Sequence, residues 1–365
     1  MPLTLYGSNI SYFTGKMENY FRVREIPYEL KSMQFPSFQS KMEKKVGVMQ
    51  MPAVVLEDGR WMTDTTKMIQ WFEDQIKENK TVPKDPVQAF ICYLIEDWAD
   101  EWWWRTAMHY RWHYDEGAIF ASEHLASELL NDLWIPMWMK RMFLQYRQRS
   151  GYTTGDGINK ENIQAIENNF LDFLKNLELI FKNRNFIFGD TPTLADIGLS
   201  GPFFRHFALD PVPLKIIREN YPYIMKWVSR LWNTKLSENQ IQLVAGIPND
   251  LDPLLKEIGQ VYLPYLSANV RAVRDRKKIF DISVGGINFK KARYSRYRVW
   301  CIKELRKHFN KLPFNAKDEV KKLLERNHCW KPLWQDIDLP MIQNQDNNLP
   351  FKADTKMIGV NESKE

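Results

Sequence analysis

Two short stretches hold residue types at spacings that suit the binding of a small anionic ligand. In Thr63-Asp64-Thr65-Thr66-Lys67-Met68-Ile69, Asp and Thr stand at the start of an amphipathic run. Such residues cap the unpaired amides of a helix N-terminus, and the same amides plus a hydroxyl can hold a ligand carboxylate. Capping alone is the simpler use. In Met51-Pro52-Ala53-Val54-Val55 a proline enters a strand just ahead of a turn. It suits an edge, a strand start, or a cis bond that presents the preceding backbone to a ligand; the rarity of cis bonds favours the plain strand start. A third stretch, Thr191-Pro192-Thr193-Leu194-Ala195-Asp196, reads as a capping box with Thr193 at the N-cap and Asp196 three residues on, which is a structural role.

Trp98, Trp102, Trp103, Trp104 and Trp112 are interleaved with Asp97, Asp100, Glu101, Arg105 and Arg111. Large rings with a few polar groups can line an apolar pocket, although most tryptophans pack in cores. Three consecutive tryptophans cannot share one helix face, so at least one points to a cleft or interface. His109 and His113 have i, i+4 spacing, yet no acidic residue completes a His-Glu-x-x-His motif, so no metal is expected. Contact with a substrate ranks above metal binding, and an ordinary aromatic-rich helix above both. Cys92, Cys301 and Cys329 have no paired spacing, which disfavours zinc, a dithiol centre or a disulfide framework.

These residues must be positioned by two kinds of architecture. The first 80 or so residues change period as an α/β unit does: a strand at Leu3–Tyr6, a helix over 14–24, a strand from Ile26, a strand from Pro52, the Asp58-Gly59 hairpin signal, Trp61-Met62, then a helix from Thr65. The order is β-α-β, then β-β-α. After Val82-Pro83-Lys84-Asp85-Pro86 the chain reads almost entirely as helix: 88–116, 122–149, and 159–182 with a helical apolar stripe. The division is 1–80, 81–249, a basic helical block 250–340, and a polar segment 341–365 expected to be a mobile tail.

The 365-residue chain is 44% hydrophobic and 26% charged, which excludes wholesale disorder, and its net charge of +6 does not mark a nucleic-acid binder. The charge is unevenly spread: residues 250–340 carry a net +9 and residues 1–249 a net −2. In the basic block, Arg271 to Lys278 and Lys290 to Arg298 read as solvated faces, with phosphate or anionic lipid binding as the sharper use. The N-terminus has no signal-peptide pattern and no stretch has the apolar length to span a bilayer, so a protein of the reducing cytoplasm is expected.

Taken in order, the β-α-β then β-β-α unit, Pro52 before the third strand, Asp64-Thr65 before the last helix, the proline-bearing linker and a helical domain with Thr-Leu-Ala-Asp resemble the cytosolic glutathione transferase superfamily over roughly residues 3–235. The resemblance implies a thioredoxin-like domain that binds glutathione, an all-α domain that builds the acceptor site, and a homodimer. Additional helices follow in the extension. Matched position by position, Pro52 is the family's cis-proline, and Met51 offers its backbone to the cysteinyl part of glutathione. Asp64 and Thr65 hold the γ-glutamyl end. Gln50, or less directly Lys44 or Lys45, reaches the glycyl carboxylate. Ser11 ranks first as the activating hydroxyl, although Ser11-Tyr12-Phe13-Thr14 departs from the usual Ser-x-Pro; Tyr12 is second and Tyr6 third, and Thr14 is a further rival to Ser11. Trp104, His109 and Trp112 are the substrate-side residues.

The implied reaction follows from thiol acidity. A thiol near 8.5 is mostly protonated at neutral pH; a donor hydroxyl and a helix N-terminus favour the reactive thiolate, and two units of lowering correspond to about 2.7 kcal/mol. The expected function is attack of that thiolate on a small apolar electrophile. The alternatives are a non-catalytic binding module that uses the basic extension, or a glutathione-dependent reductase, isomerase or dehalogenase.

Overall fold

A computed structural model describes residues 2–34, 37–238, 242–336, 338–341 and 350–353. The N-terminal unit comprises β1 (Leu3–Gly7), α1 (Tyr12–Val23), β2 (Tyr28–Ser32), α2 (Ser37–Val46), β3 (Ala53–Val55), β4 (Trp61–Thr63) and α3 (Thr65–Gln75). Its strands lie in the order β2-β1-β3-β4; β1 and β2 are parallel, and the other two pairings are antiparallel. Strand alternation turns Leu3 and Leu5 into the main core with Val54 and Met62, while Tyr6 and Trp61 face α2. α2 departs from the sequence reading, which had no helix between the second and third strands. Its residues Lys41, Glu43, Lys44 and Lys45 are exposed and only Met42 and Val46 are buried, so its apolar period was too sparse to stand out.

The helical part begins with α4 (Pro86–His113), where Asp85 caps the amides of Val87 and Gln88 at 2.9 and 2.8 Å and Pro86 takes the first turn. There follow α5 (Asp115–Leu129), α6 (Met137–Gln148), α7 (Ile163–Asn183), α8 (Leu194–Pro202), α9 (Pro211–Asn220) and α10 (Pro222–Asn233). The stretch expected as one helix over 122–149 is two, because Pro136 ends the link and opens α6. The capping box forms: Asp196 accepts from Thr193 N at 2.9 Å and Thr193 Oγ1 at 3.1 Å, and also from Ile187 N and Trp227 Nε1. Gly198 lets α8 lie close on α4, since a Cβ there would stand 2.7 Å from the Glu96 Cα.

The extension holds α11 (Asp252–Glu257), α12 (Leu263–Arg274), β5 (Ile279–Val284), β6 (Ile287–Arg293), α13 (Arg296–Asn310), α14 (Phe314–Arg326) and α15 (Trp330–Trp334). The antiparallel β5–β6 hairpin stands where helix was expected. Gly285 and Gly286, at φ 54° and 76°, make the two-residue turn that such hairpins favour. Of the expected tail, residues 342–349 and 354–365 lie outside the described residues. Residues 350–353 lie against the small sheet: Pro350 O accepts from Thr63 N at 2.5 Å, and Ala353 N donates to Val46 O at 2.7 Å.

One turn and a half of α4 binds these parts together. Glu96 and Asp100 both receive Lys16 Nζ of α1, Glu96 at 2.5 Å, and Thr66 Oγ1 of α3 donates to Glu96 at 2.7 Å. Asp97 accepts from the Tyr262 hydroxyl at 2.6 Å, and Glu101 from Arg298 Nε of α13 at 3.0 Å. Arg298 and Glu101 are each 2% exposed at the side chain. Removing one member of such a pair leaves a buried, unanswered charge that costs about 3–5 kcal/mol. Arg298→Met is expected to lower unfolding free energy by about that amount in denaturant titration, and Glu101→Gln added to it to restore a large part. A loss no greater than that of an exposed arginine would refute the pairing.

Candidate functional site

A cavity of about 520 Å³ lies between the small sheet and the helices. On the α/β side it is lined by Ile10, Ser11, Tyr12, Gln50, Met51, Asp64 and Thr65. Thus the sequence-derived residues Ser11, Tyr12, Gln50, Met51, Asp64 and Thr65 come together at one cavity, along with Trp104 and Trp112 from α4.

Ser11 is the N-cap of α1; its Oγ accepts a long bond from Thr14 N at 3.5 Å, which leaves its own hydrogen to donate. The loop carrying it is fixed from α4, where Arg111 donates to Ile10 O at 2.6 Å and to Asp210 at 3.0 and 2.9 Å. Tyr12 reaches the cavity with its ring, but its hydroxyl donates to Ala99 O at 2.6 Å. Burial, then Asp100 and Glu101, push that phenol well above its ordinary value. Tyr6 is not among the lining residues; it stacks on Trp61 at 5.3 Å on the opposite face of the sheet.

The Met51-Pro52 bond is cis, against the expectation of a plain strand-start proline; Pro52 itself is buried, and Met51 faces the cavity. Gln50 Nε2 donates to Thr63 Oγ1 at 2.7 Å, while its Oε1 is buried with no partner among the described residues. Gln39 of α2, not singled out from sequence, lines the cavity; Lys44 and Lys45 do not.

Asp64 is the N-cap of α3 and accepts from Lys67 N at 3.4 Å. Its φ of 77° lies in a region that non-glycine residues rarely occupy, and such strain gathers at binding sites. Burial pushes its carboxyl up to about 7, opposed by the Lys67 amide and ammonium, by the Tyr297 hydroxyl and by Lys16. Tyr297, from α13 in the extension, donates to Asp64 Oδ1 at 3.2 Å and lines the cavity. Asp64 Oδ2 and Asp100 Oδ1 are buried acceptors with no protein partner among the described residues. Acceptors of this kind, beside the first amides of α3, suit a ligand that carries both an ammonium and a carboxylate.

The helical side is apolar over Trp104, Met108, Trp112, Leu125, Leu129, Leu130 and Phe143, and it also carries the polar Asp100, Glu101, Arg111, Arg147, Gln148 and His206. Trp102 and Trp103 turn inward instead, Trp102 to Asn169 and Trp103 onto Phe173 at 4.0 Å, so the third of the three consecutive tryptophans is the one that faces the cavity. His109 does not line it. It is fully buried, with Nε2 2.8 Å from Glu167 and its ring stacked on His113 at 4.8 Å. Among the described residues no group of three His, Cys, Asp or Glu side chains is arranged to hold a metal ion. His206 was missed from sequence; it lines the cavity as a neutral ring, its pKa lowered to about 4 by burial and then by Arg111.

Asp64 sets a pH test. From its ordinary 3.8 up to about 7, the folded chain keeps a proton on Asp64 that the unfolded chain has lost. That carboxyl therefore makes stability fall as pH rises through this window. Between pH 5 and 6.5, wild type is expected to lose about 1 kcal/mol per pH unit more than Asp64→Asn in denaturant unfolding. Equal slopes would mean that Asp64 ionises as an exposed carboxyl does.

Comparison with known proteins yields two domain matches: residues 5–80 match the glutathione S-transferase N-terminal domain and residues 137–234 the glutathione S-transferase C-terminal domain. No curated protein matches. Among solved structures, the beta-etherase LigF from Sphingobium sp. strain SYK-6 is 19% identical, with 63% of this chain and 95% of that one covered and a TM-score of 0.45. A glutathione S-transferase from Rhodospirillum rubrum F11 is 18% identical, covering 69% and 99%, at a TM-score of 0.40. One from Methylobacterium radiotolerans, in complex with glutathione sulfonate, is 14% identical, covering 68% and 99%, also at 0.40. Among the described residues no helix is long and apolar enough to cross a membrane. With both domain signatures present and in order, the chain belongs to the glutathione S-transferase superfamily.

Proposed function

We propose that this protein binds glutathione at Asp64, Thr65 and Met51, activates its thiol through Ser11, and joins the thiolate to a small apolar electrophile. The observation that carries the reading is the convergence of Ser11, Met51, Asp64 and Thr65 on one side of a cavity whose other side is Trp104, Met108, Trp112 and Leu125. The working division is residues 1–80 for glutathione, 81–249 for the acceptor wall, and 250–340 as the block that reaches back to Asp64.

The roles follow from the groups present. The γ-glutamyl carboxylate meets the first amides and the hydroxyl at Thr65, and its ammonium meets Asp64 Oδ2. The backbone of Met51 pairs with the cysteinyl residue, as the family resemblance implies. Gln50 and Gln39, which line the same cavity, are the polar side chains for the glycyl carboxylate. Ser11 Oγ–H then points its hydrogen bond at the sulfur, and the N-terminus of α1 adds a positive field, so the thiol proton leaves to solvent at lower pH. The sulfur lone pair forms the carbon–sulfur bond while the electrophile's leaving group or π bond takes up the displaced electron pair. The apolar wall keeps the acceptor desolvated beside the thiolate. Tyr12 is unsuited to the activating role because its hydrogen is committed to Ala99 O.

A homodimer is the assembly the family implies, and the three buried free cysteines fit a reducing cytoplasm. The decisive experiment is the pH–rate profile of glutathione conjugation with a soluble aryl halide. Ser11→Ala is expected to cut kcat/KM at neutral pH by about 100-fold and move the thiol inflection up by about two units. Tyr6→Phe is expected to leave the profile unchanged. A profile indifferent to Ser11→Ala removes the assignment.

A further inference from the structure

Thirteen large apolar side chains are exposed among the described residues, and eight of them fall between Trp134 and Tyr146. α6 wears them on its outer face: Trp138, Met139, Met142, Phe143 and Tyr146 recur along one side, while Leu144, Gln148 and even Lys140 turn inward. A surface helix ordinarily has the reverse arrangement. Trp134, just before Pro136, is fully exposed and Trp138 is 61% exposed. A contiguous patch of this kind marks an interaction surface.

We propose that this face docks onto an anionic lipid surface. Its residue types are those of an interfacial helix: tryptophan and tyrosine settle at headgroup depth, with methionine and phenylalanine reaching the acyl boundary. Its charge agrees. Residues 132–149 contain Lys140, Arg141, Arg147 and Arg149 against one carboxylate, the exposed Asp132. Arg149 is answered by Asp115 of α5 at 2.9 Å and Lys140 is buried. Arg141 and Arg147, half-buried and exposed, rim the apolar patch. A second copy of the chain is a poorer occupant, because a two-fold contact sets this segment against itself and brings Arg141 and Arg147 to their own counterparts, with Asp132 the one carboxylate of the segment to answer them.

The patch is continuous with the cavity. Phe143 stands on the outer face of α6 and also lines the cavity, as do Leu133 and Arg147. Docking there brings the cavity mouth to the bilayer, so a lipophilic acceptor dissolved in the membrane has the shortest route in. That consequence rests on the conjugation reading, whereas the docking itself does not.

The test uses the full-length protein in cosedimentation with vesicles of phosphatidylcholine, with and without phosphatidylglycerol. Wild type is expected to bind the anionic vesicles about tenfold or more tightly than the neutral ones; Trp134→Ser/Trp138→Ser loses about tenfold and Arg141→Gln about fivefold. Both tryptophans are exposed and outside the cavity, so the double variant keeps its melting temperature and its turnover of a soluble acceptor. No binding to anionic vesicles, or binding that the double substitution leaves unchanged, overturns the proposal. So does self-association in sedimentation velocity that the double substitution abolishes, which would give the face to a second copy. Loss of vesicle binding with turnover intact concerns this surface, and loss of turnover alone concerns the reaction.

Discussion

The buried carboxylates on α4 are the constraint around which this chain is arranged. Four acids in six residues, Glu96, Asp97, Asp100 and Glu101, are taken out of water, and burial raises the proton affinity of Asp97, Asp100 and Glu101. Each must be answered, and the answers come from different parts of the sequence: Lys16 and Thr66 from the α/β unit, Tyr262 and Arg298 from the extension. Burial opposes the charge on Lys16, yet Asp100 and Glu96 hold its pKa above the ordinary value. Because an unpaired buried charge costs several kcal/mol, an arrangement of the three blocks that separates these pairs is penalised.

The site inherits its geometry from that seam. Asp100 and Glu101 line the same cavity as Asp64 and Ser11, so the helix that anchors the modules also forms the floor between them. α13, drawn in by Arg298, sets the neighbouring Tyr297 on Asp64 Oδ1. A block beyond the two family domains thereby reaches the position matched to γ-glutamyl binding. Arg111 works in the same manner from the far end of α4, holding Ile10 O and with it the loop that presents Ser11.

Much of this was legible in the sequence, and the failures have physical causes. Local signals gave the strands around Pro52, the cap at Asp64, the start of α4 to within two residues and the box at Thr193, since each depends on neighbours within four residues. α2 was missed because its exposed face dominates its composition. The β5–β6 hairpin carried its signal in Gly285-Gly286 between alternating segments, but the basic residues around it drew the reading toward solvated helices. His109 was assigned to the substrate by its chemistry; its place depends on Glu167, 58 residues away. No spacing rule connects Tyr297 with Asp64, 233 residues apart, and that contact had no signature to read. The outward apolar face of α6 went unread, because the sequence marks 122–149 as helix without saying which side of it meets water.

If glutathione sits where Asp64 and Thr65 open α3, as proposed, calorimetric titration of glutathione into the wild-type protein shows saturable one-site binding, and the Asp64→Ala/Thr65→Ala double variant loses it. Absence of heat at millimolar glutathione, or equal binding by both proteins, would contradict the proposal.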